Sequence, residues 1–220
     1  MVWRCKLFIS LLMFSNISLI SATETIETEA VEWLKAYLQI ETVNPPGNES
    51  RAVDYIANIF EQEGIEFNSA ESAPGRGNIW ARIEGGDKPA LVLLHHSDVV
   101  PVNEKYWDFD PFSGEIKDGY ILGRGALDMK GTGISHLANF INLHRQGKKL
   151  NRDVIFIGAA DEESGGNFGV GWLVKNHPEI FEGAGLLLNE GGSGYKSNDS
   201  IVFSVEITQK VPVWLRLTAI

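Results

Sequence analysis

The chain has 220 residues, 44% of them hydrophobic and 22% charged, with 23 glycines and 8 prolines. That composition excludes a collagenous, mucin-like or wholly disordered chain and suits one α/β domain with a two-sided core. Its 29 acidic against 19 basic residues give a net charge of −10, which argues against nucleic acid or anionic lipid as a partner.

Residues 1–22 come first in chain order and stand apart from the rest. Arg4 and Lys6 precede a mostly apolar stretch from Leu7 to Ile20, and Ser21, Ala22 and Thr23 offer a small-residue cleavage site before Glu24. That order predicts a secretory signal peptide. The stretch is short for a membrane span and is broken by Ser15, Asn16 and Ser18. The expectation is a secreted or periplasmic protein without stable membrane association after cleavage. Cys5, the one cysteine, lies in this segment. The mature chain can then form no disulfide and no thiolate metal site, so any metal must be held by histidine and carboxylate.

Helical spacing of Val31, Leu34, Tyr37 and Leu38 predicts an amphipathic helix from Thr25 to about Thr42, ended by Asn44-Pro45-Pro46-Gly47-Asn48. A second helix runs from Glu49 to Gly64, on Val53, Ile56, Ala57 and Phe60. Ile79 to Ile83 alternates as a strand, and Leu91 to Leu94 reads as a central strand covered on both faces. Phe112 to Leu122 predicts a hairpin turning at Lys117-Asp118-Gly119. A helix on Ile134, Leu137, Ala138 and Ile141 ends near Gly147. Val154 to Ile157 and Leu186 to Leu188 are further buried strand runs, with a helix around Trp172 and Leu173 between them. Strands alternating with helices imply a mostly parallel central sheet with helices on both faces. Ile201 to Glu206 and Val211 to Ile220 are strand-like with no helix between them.

In an open parallel sheet, ligands bind at the carboxyl ends of the strands. The three buried runs end in His95-His96-Ser97-Asp98, Asp161-Glu162-Glu163 and Asn189-Glu190-Gly191-Gly192, and Asp128 stands in a loop just before a helix. Carboxylates converging on one edge repel one another unless a cation sits among them. Histidine with carboxylates and no cysteine suits zinc or another divalent hydrolytic metal. Of two adjacent acids, Glu162 and Glu163, one can bind metal while the other takes a proton from water. His96 and Asp98 point the same way on an extended strand end, so the carboxylate can fix the imidazole tautomer. Arg124 suits substrate binding and a loop salt bridge equally. His136, His144 and His177 lie in or near helices and read as structural or surface residues. Trp107, Phe109 and Phe112 read as packing.

Taken together, Leu93 to Pro101, Phe112 to Gly131, Asp161 to Gly166 and Asn189 to Gly192 resemble the zinc metallopeptidase family of aminoacylase, glutamate carboxypeptidase, acetylornithine deacetylase and succinyl-diaminopimelate desuccinylase. The resemblance implies that His96 and Glu190 bind one zinc and Glu163 a second. By the same resemblance Asp128 would bridge the two and be followed by a cis peptide, Asp98 would orient His96, and Glu162 would be the general base. It implies hydrolysis of a peptide or N-acyl amino acid bond. It also implies that residues 23–208 form the N-terminal part of the catalytic domain and residues 209–220 begin a lid used for homodimerisation. Family members are longer and supply a last histidine ligand after the lid, whereas no histidine follows His177 here. The second zinc then lacks a protein ligand within this chain. Two other readings are a related two-zinc aminopeptidase and a truncated, inactive, secreted zinc-binding protein.

Overall fold

A computed structural model describes residues 25–198, 200–206 and 218. The signal peptide at 1–22, the strand-like run at 211–220 and the boundary at 209 lie outside the described residues, Thr218 apart. Among the described residues, no helix is long and apolar enough to cross a membrane.

Two helices open the fold. Helix α1, Ile26–Leu38, is capped by the Thr25 hydroxyl, which accepts from the Thr28 amide, and carries Glu27 and Glu29 in its first turn, where negative charge opposes the helix dipole. Helix α2, Ser50–Glu63, stops at Gly64, whose φ of 66° closes the helix in the left-handed conformation. It turns Ala52, Val53, Ile56, Ile59 and Phe60 inward.

The sheet follows: β1 is Phe67–Glu71, β2 Gly77–Ile83, β3 Lys88–His96, β6 Arg152–Ala159 and β7 Ala184–Leu188. Between β3 and β6 lie a small hairpin, β4 (Glu115–Lys117) with β5 (Tyr120–Leu122), and helix α3, Lys130–Gln146. Helix α4, Val170–Asn176, joins β6 to β7, and β8 (Ser193–Ser197) with β9 (Ser200–Ser204) forms a second hairpin. The sheet order is β1-β2-β6-β3-β7. β3 pairs parallel with β6 and β7, whereas β2 pairs antiparallel with β6 and with β1. Four of the five strands therefore point one way, so the expected mostly parallel sheet is present with one reversed strand. The hairpin turns at Asp118 (φ 52°) and Gly119 (φ 82°), the two left-handed positions that match strand twist in a two-residue loop.

Alternation along the central strands splits the core in two. Val154, Phe156 and Leu93 face α1, α2 and α3, while Ile155, Ile157, Val92 and Leu94 face α4 and the turn at Ile180. Phe156 is the hub of the first layer, its ring 5.5 Å from Phe60 and 5.9 Å from Phe140. Phe156→Ala is expected to cost about 3–5 kcal/mol, read as a lower urea midpoint. A loss under about 1 kcal/mol would mean this layer is loosely packed.

Two strand expectations need correction. Leu186, Leu187 and Leu188 do not form a third buried run: they are 54%, 52% and 48% exposed. β7 is the last strand of the sheet and pairs only with β3 among the described residues, and side chains on both of its faces are exposed. β1 was not expected at all, because Phe67-Asn68-Ser69-Ala70-Glu71 is largely polar. As the opposite edge strand it needs only one good face.

An ionic clasp ties the three helices of the first layer. Arg145 of α3 lies 2.5 Å from Glu29 of α1 and 2.6 Å from Glu63 of α2. The hydrogen bond from Arg145 holds Glu63 below its ordinary pKa of 4.5. Its contribution is therefore present above the unfolded pKa and lost as pH falls through the lower folded value. Arg145→Met is expected to cost up to about 1 kcal/mol at pH 7 and nothing measurable well below pH 4. Equal losses at both pH values would rule out the ionic explanation.

Candidate metal centre at the strand ends

The two histidines closing β3 take opposite faces, as successive strand residues must. His95 is fully buried. Its Nδ1 lies 3.1 Å from the Ile157 carbonyl and its Nε2 lies 3.2 Å from the Tyr37 hydroxyl. A carbonyl can only accept, so Nδ1 carries the proton and Nε2 accepts from tyrosine. Burial pushes its pKa down to about 3, and a side chain at Gly133 would collide with the ring. Both ring nitrogens are used, and His95 is a neutral core residue.

His96 is also buried, at 3% exposure, but it faces a different company. Its Nδ1 lies 3.0 Å from the main-chain carbonyl of Asp98 and 3.4 Å from the Asp98 carboxylate. Its Nε2 lies 3.0 Å from Asp128 Oδ1, 3.3 Å from Glu190 Oε2 and 3.8 Å from Glu162 Oε2. With Nδ1 donating to Asp98, a neutral ring presents a lone pair to three groups that can only accept. Something positive must lie among them: a proton on the ring or a cation between the groups. Burial alone would lower the His96 pKa, yet the carboxylates of Asp98, Glu162 and Glu190 prevail and raise it to about 9. Glu163 is pushed up to about 7, first by burial and then by Asp128. Glu162 is raised as well, by burial and by Glu190.

Donor atoms of His96, Asp128 and Glu190 fall within 4.8 Å of one another, and so do those of His96, Glu162 and Glu163. One imidazole and several carboxylates, without sulfur, form a donor set that fits a divalent cation of hard or borderline character. The sequence-predicted residues His96, Asp98, Asp128, Glu162, Glu163 and Glu190 are thus all brought to one strand edge.

Asp98 does more than was expected of it. Its fully buried carboxylate accepts from the Glu162 and Glu163 amides at 3.1 and 3.0 Å and from Asn44 Nδ2 at 2.7 Å. Burial would raise its pKa, but these bonds and His96 hold it below the ordinary value. One carboxylate therefore fixes both the imidazole and the main chain under the two glutamates.

Asp128 stands at the tip of the loop before α3, and the peptide bond to Met129 is cis, as the resemblance implies. The loop is tied down by Lys130, which is fully buried. Its Nζ donates to the carbonyls of Tyr37 (3.1 Å) and Ile40 (2.6 Å) at the end of α1, and it sits 4.8 Å from the centre of the Tyr37 ring. A cation is favoured at a helix C-terminus, yet burial brings its pKa down to about 7. Sequence reading missed this residue, because a lysine opening a helix is ordinarily exposed.

It also missed a buried network of Asn44, Glu49, Arg76 and Asp161 behind the glutamates. Only Asp161 carried a signal, its place beside Glu162. Arg124 pairs with no carboxylate among the described residues; its guanidinium lies 5.2 Å from the Trp107 ring, and Trp107 packs against Phe109. His136 is half-buried and His144 exposed, and the His177 ring lies 5.1 Å from both Trp80 and Trp172. All three are absent from the donor groups. A cleft of about 240 Å³ opens beside His96 and Glu162, walled by Leu94, Ala159, Gly166, Val170 and Asn189.

The chain is 34% identical over 197 residues to aminoacylase-1 of Sus scrofa, covering 88% of this chain and 47% of that protein. It is 32% identical over 157 residues to succinyl-diaminopimelate desuccinylase of Wolbachia pipientis wMel, covering 69% of this chain and 39% of that protein. The fold matches the crystal structure of the metallo-carboxypeptidase Sso-CP2 from Sulfolobus solfataricus with a TM-score of 0.62 and 26% identity, over 74% of this chain and 37% of that one. The chain thus spans about half the length, or less, of the relatives it matches. Residues 92–211 match the profile of peptidase family M20/M25/M40. That is more than half of the chain, and it includes every residue of the strand-end cluster: the chain belongs to peptidase family M20/M25/M40.

Proposed function

We propose that this chain supplies the metal-binding half of an enzyme that hydrolyses an amide bond in a small peptide or an N-acyl amino acid. The observation that carries the reading is the Nε2 of His96 facing Asp128, Glu190 and Glu162 within 3.8 Å. The names of the relatives, an aminoacylase, a desuccinylase and a carboxypeptidase, support the same chemistry.

Zinc is the proposed metal, on the histidine and carboxylate donor set. His96, Asp128 and Glu190 would hold one ion, and Asp128 with Glu163 would contribute to a second. When bound, such ions supply acidity to water and polarise the amide carbonyl. Glu162 takes a proton from the attacking water and returns it to the departing nitrogen. Its carboxylate is partly solvated and raised in pKa, which brings a base nearer to working pH. Asp98 holds His96 through Nδ1 and keeps Nε2 free to coordinate.

We assign residues 1–22 as a cleaved export signal, which makes the protein secreted or periplasmic, and residues 209–220 as the start of a lid. The function is tested by assaying the purified protein on N-acetyl amino acids and dipeptides after chelation and after restoring zinc. Hydrolysis that returns only with metal supports the reading. Metal binding with no hydrolysis of any member would favour a binding protein instead.

A further inference from the structure

Behind the two glutamates lies a buried ionic knot that touches no metal donor side chain. Arg76, in the loop before β2, is 8% exposed, Asp161 is 3% exposed and Glu49 is fully buried. One guanidinium nitrogen of Arg76 donates to Glu49 Oε1 at 2.8 Å and to Asp161 Oδ1 at 2.7 Å. The other donates to the Pro46 carbonyl at 2.9 Å and to Asn44 Oδ1 at 3.3 Å. Asn44 in turn donates to Asp98 at 2.7 Å and to Asp161 at 3.2 Å.

The knot bears directly on the main chain that carries Glu162 and Glu163. Asp161 has a φ of 68°, a left-handed conformation that is uncommon outside glycine and that aspartate adopts when its polar groups find partners there. Here they do. The Asp161 amide donates to Glu49 at 3.2 Å, its carboxylate accepts from the Phe168 amide at 3.0 Å, and Arg76 closes the ring. Three successive amides, at 161, 162 and 163, thereby rest on two buried carboxylates, those of Glu49 and Asp98. A buried carboxylate is held there only while it is paired, and Arg76 pairs with both Glu49 and Asp161.

We infer that Arg76 is a positioning residue for Glu162 and Glu163. Its guanidinium fork holds Glu49, Asp161 and Asn44 in one arrangement, and that arrangement sets where the two glutamates stand. The consequence for metal rests on the proposed roles of those glutamates; the positioning itself does not. Lysine cannot replace the fork, because a single ammonium does not span the Glu49–Asp161 side and the Pro46–Asn44 side together.

The test uses Arg76→Lys and, because stranding two buried carboxylates can unfold a protein, the balanced double variant Arg76→Met with Glu49→Gln. Hydrogen exchange on the metal-free chain comes first. The amides of 161–163 are expected to exchange about tenfold faster or more, with β3 and β6 unchanged. Cobalt titration follows, with expected weakening of about tenfold or more and an altered visible absorption band, a signature of coordination that a general loss of stability does not produce. Unchanged exchange at 161–163 together with an unchanged cobalt spectrum in a folded variant overturns the inference. Failure of both variants to fold also overturns it, by making Arg76 a residue of the core. If the wild-type chain binds no cobalt, the metal-centre reading fails, while the exchange result still decides the role of Arg76.

Discussion

Replacing Glu162 with glutamine is expected to lower amide hydrolysis by roughly 10²–10⁴-fold, the usual contribution of a general base, while metal content stays the same. The reason lies in the geometry around Nε2 of His96. Asp128 and Glu190 approach that nitrogen at 3.0 and 3.3 Å, whereas Glu162 is farther off at 3.8 Å. It stands farther from the imidazole, and its side chain, 49% solvent-exposed, remains open to water. Glutamine keeps the shape and the polar contacts but cannot accept the proton. Measuring rate and metal stoichiometry on the same preparation separates the two roles. A rate that falls in proportion to lost metal would make Glu162 a ligand and leave the base unassigned.

Asp128→Ala is expected to have the larger effect on metal. Loss of an outer partner of a ligand commonly costs 10–100-fold in affinity, and a carboxylate shared between two ions should cost more than about 100-fold. The metal-free variant should differ from the parent by less than about 1 kcal/mol, because Asp128 is 64% exposed and the contact it loses with the His96 ring is offset by relief of repulsion among neighbouring carboxylates. Equilibrium dialysis against zinc, paired with urea unfolding of the metal-free protein, checks both halves. Unchanged affinity would remove Asp128 from the centre. A metal-free chain destabilised beyond that would recast it as a structural residue of the loop.

Most of the scaffold is written locally. Continuous apolar runs mark β3 and β6 because both faces of those strands are covered, so each residue is apolar in its own right. Glycines 64 and 147 mark the ends of α2 and α3 because only glycine is at ease at their φ of 66° and 57°. Asp118-Gly119 marks the hairpin for the same reason. Edge strands are harder to read. β1 buries too little to need an apolar pattern, and the three leucines of β7 mislead because their composition says core while their position is the rim. The candidate centre was legible because three apolar runs, two of them the buried β3 and β6 and the third the exposed β7, each end in histidine or carboxylate, which is costly beside a buried strand unless it is used. Residues that reach the centre through long-range bonds left no local mark. Arg76 meets Asp161 across 85 positions and Lys130 meets Tyr37 across 93, and nothing within either neighbourhood announces the partner.

The central claim is that the strand-end carboxylates and His96 form a divalent metal centre, and direct zinc titration of the purified chain by calorimetry tests it most plainly. The expected result is saturable binding that largely disappears in His96→Ala, while that variant keeps its far-ultraviolet circular dichroism. Absence of saturable binding by the wild-type chain, or binding that His96→Ala leaves intact, would contradict it.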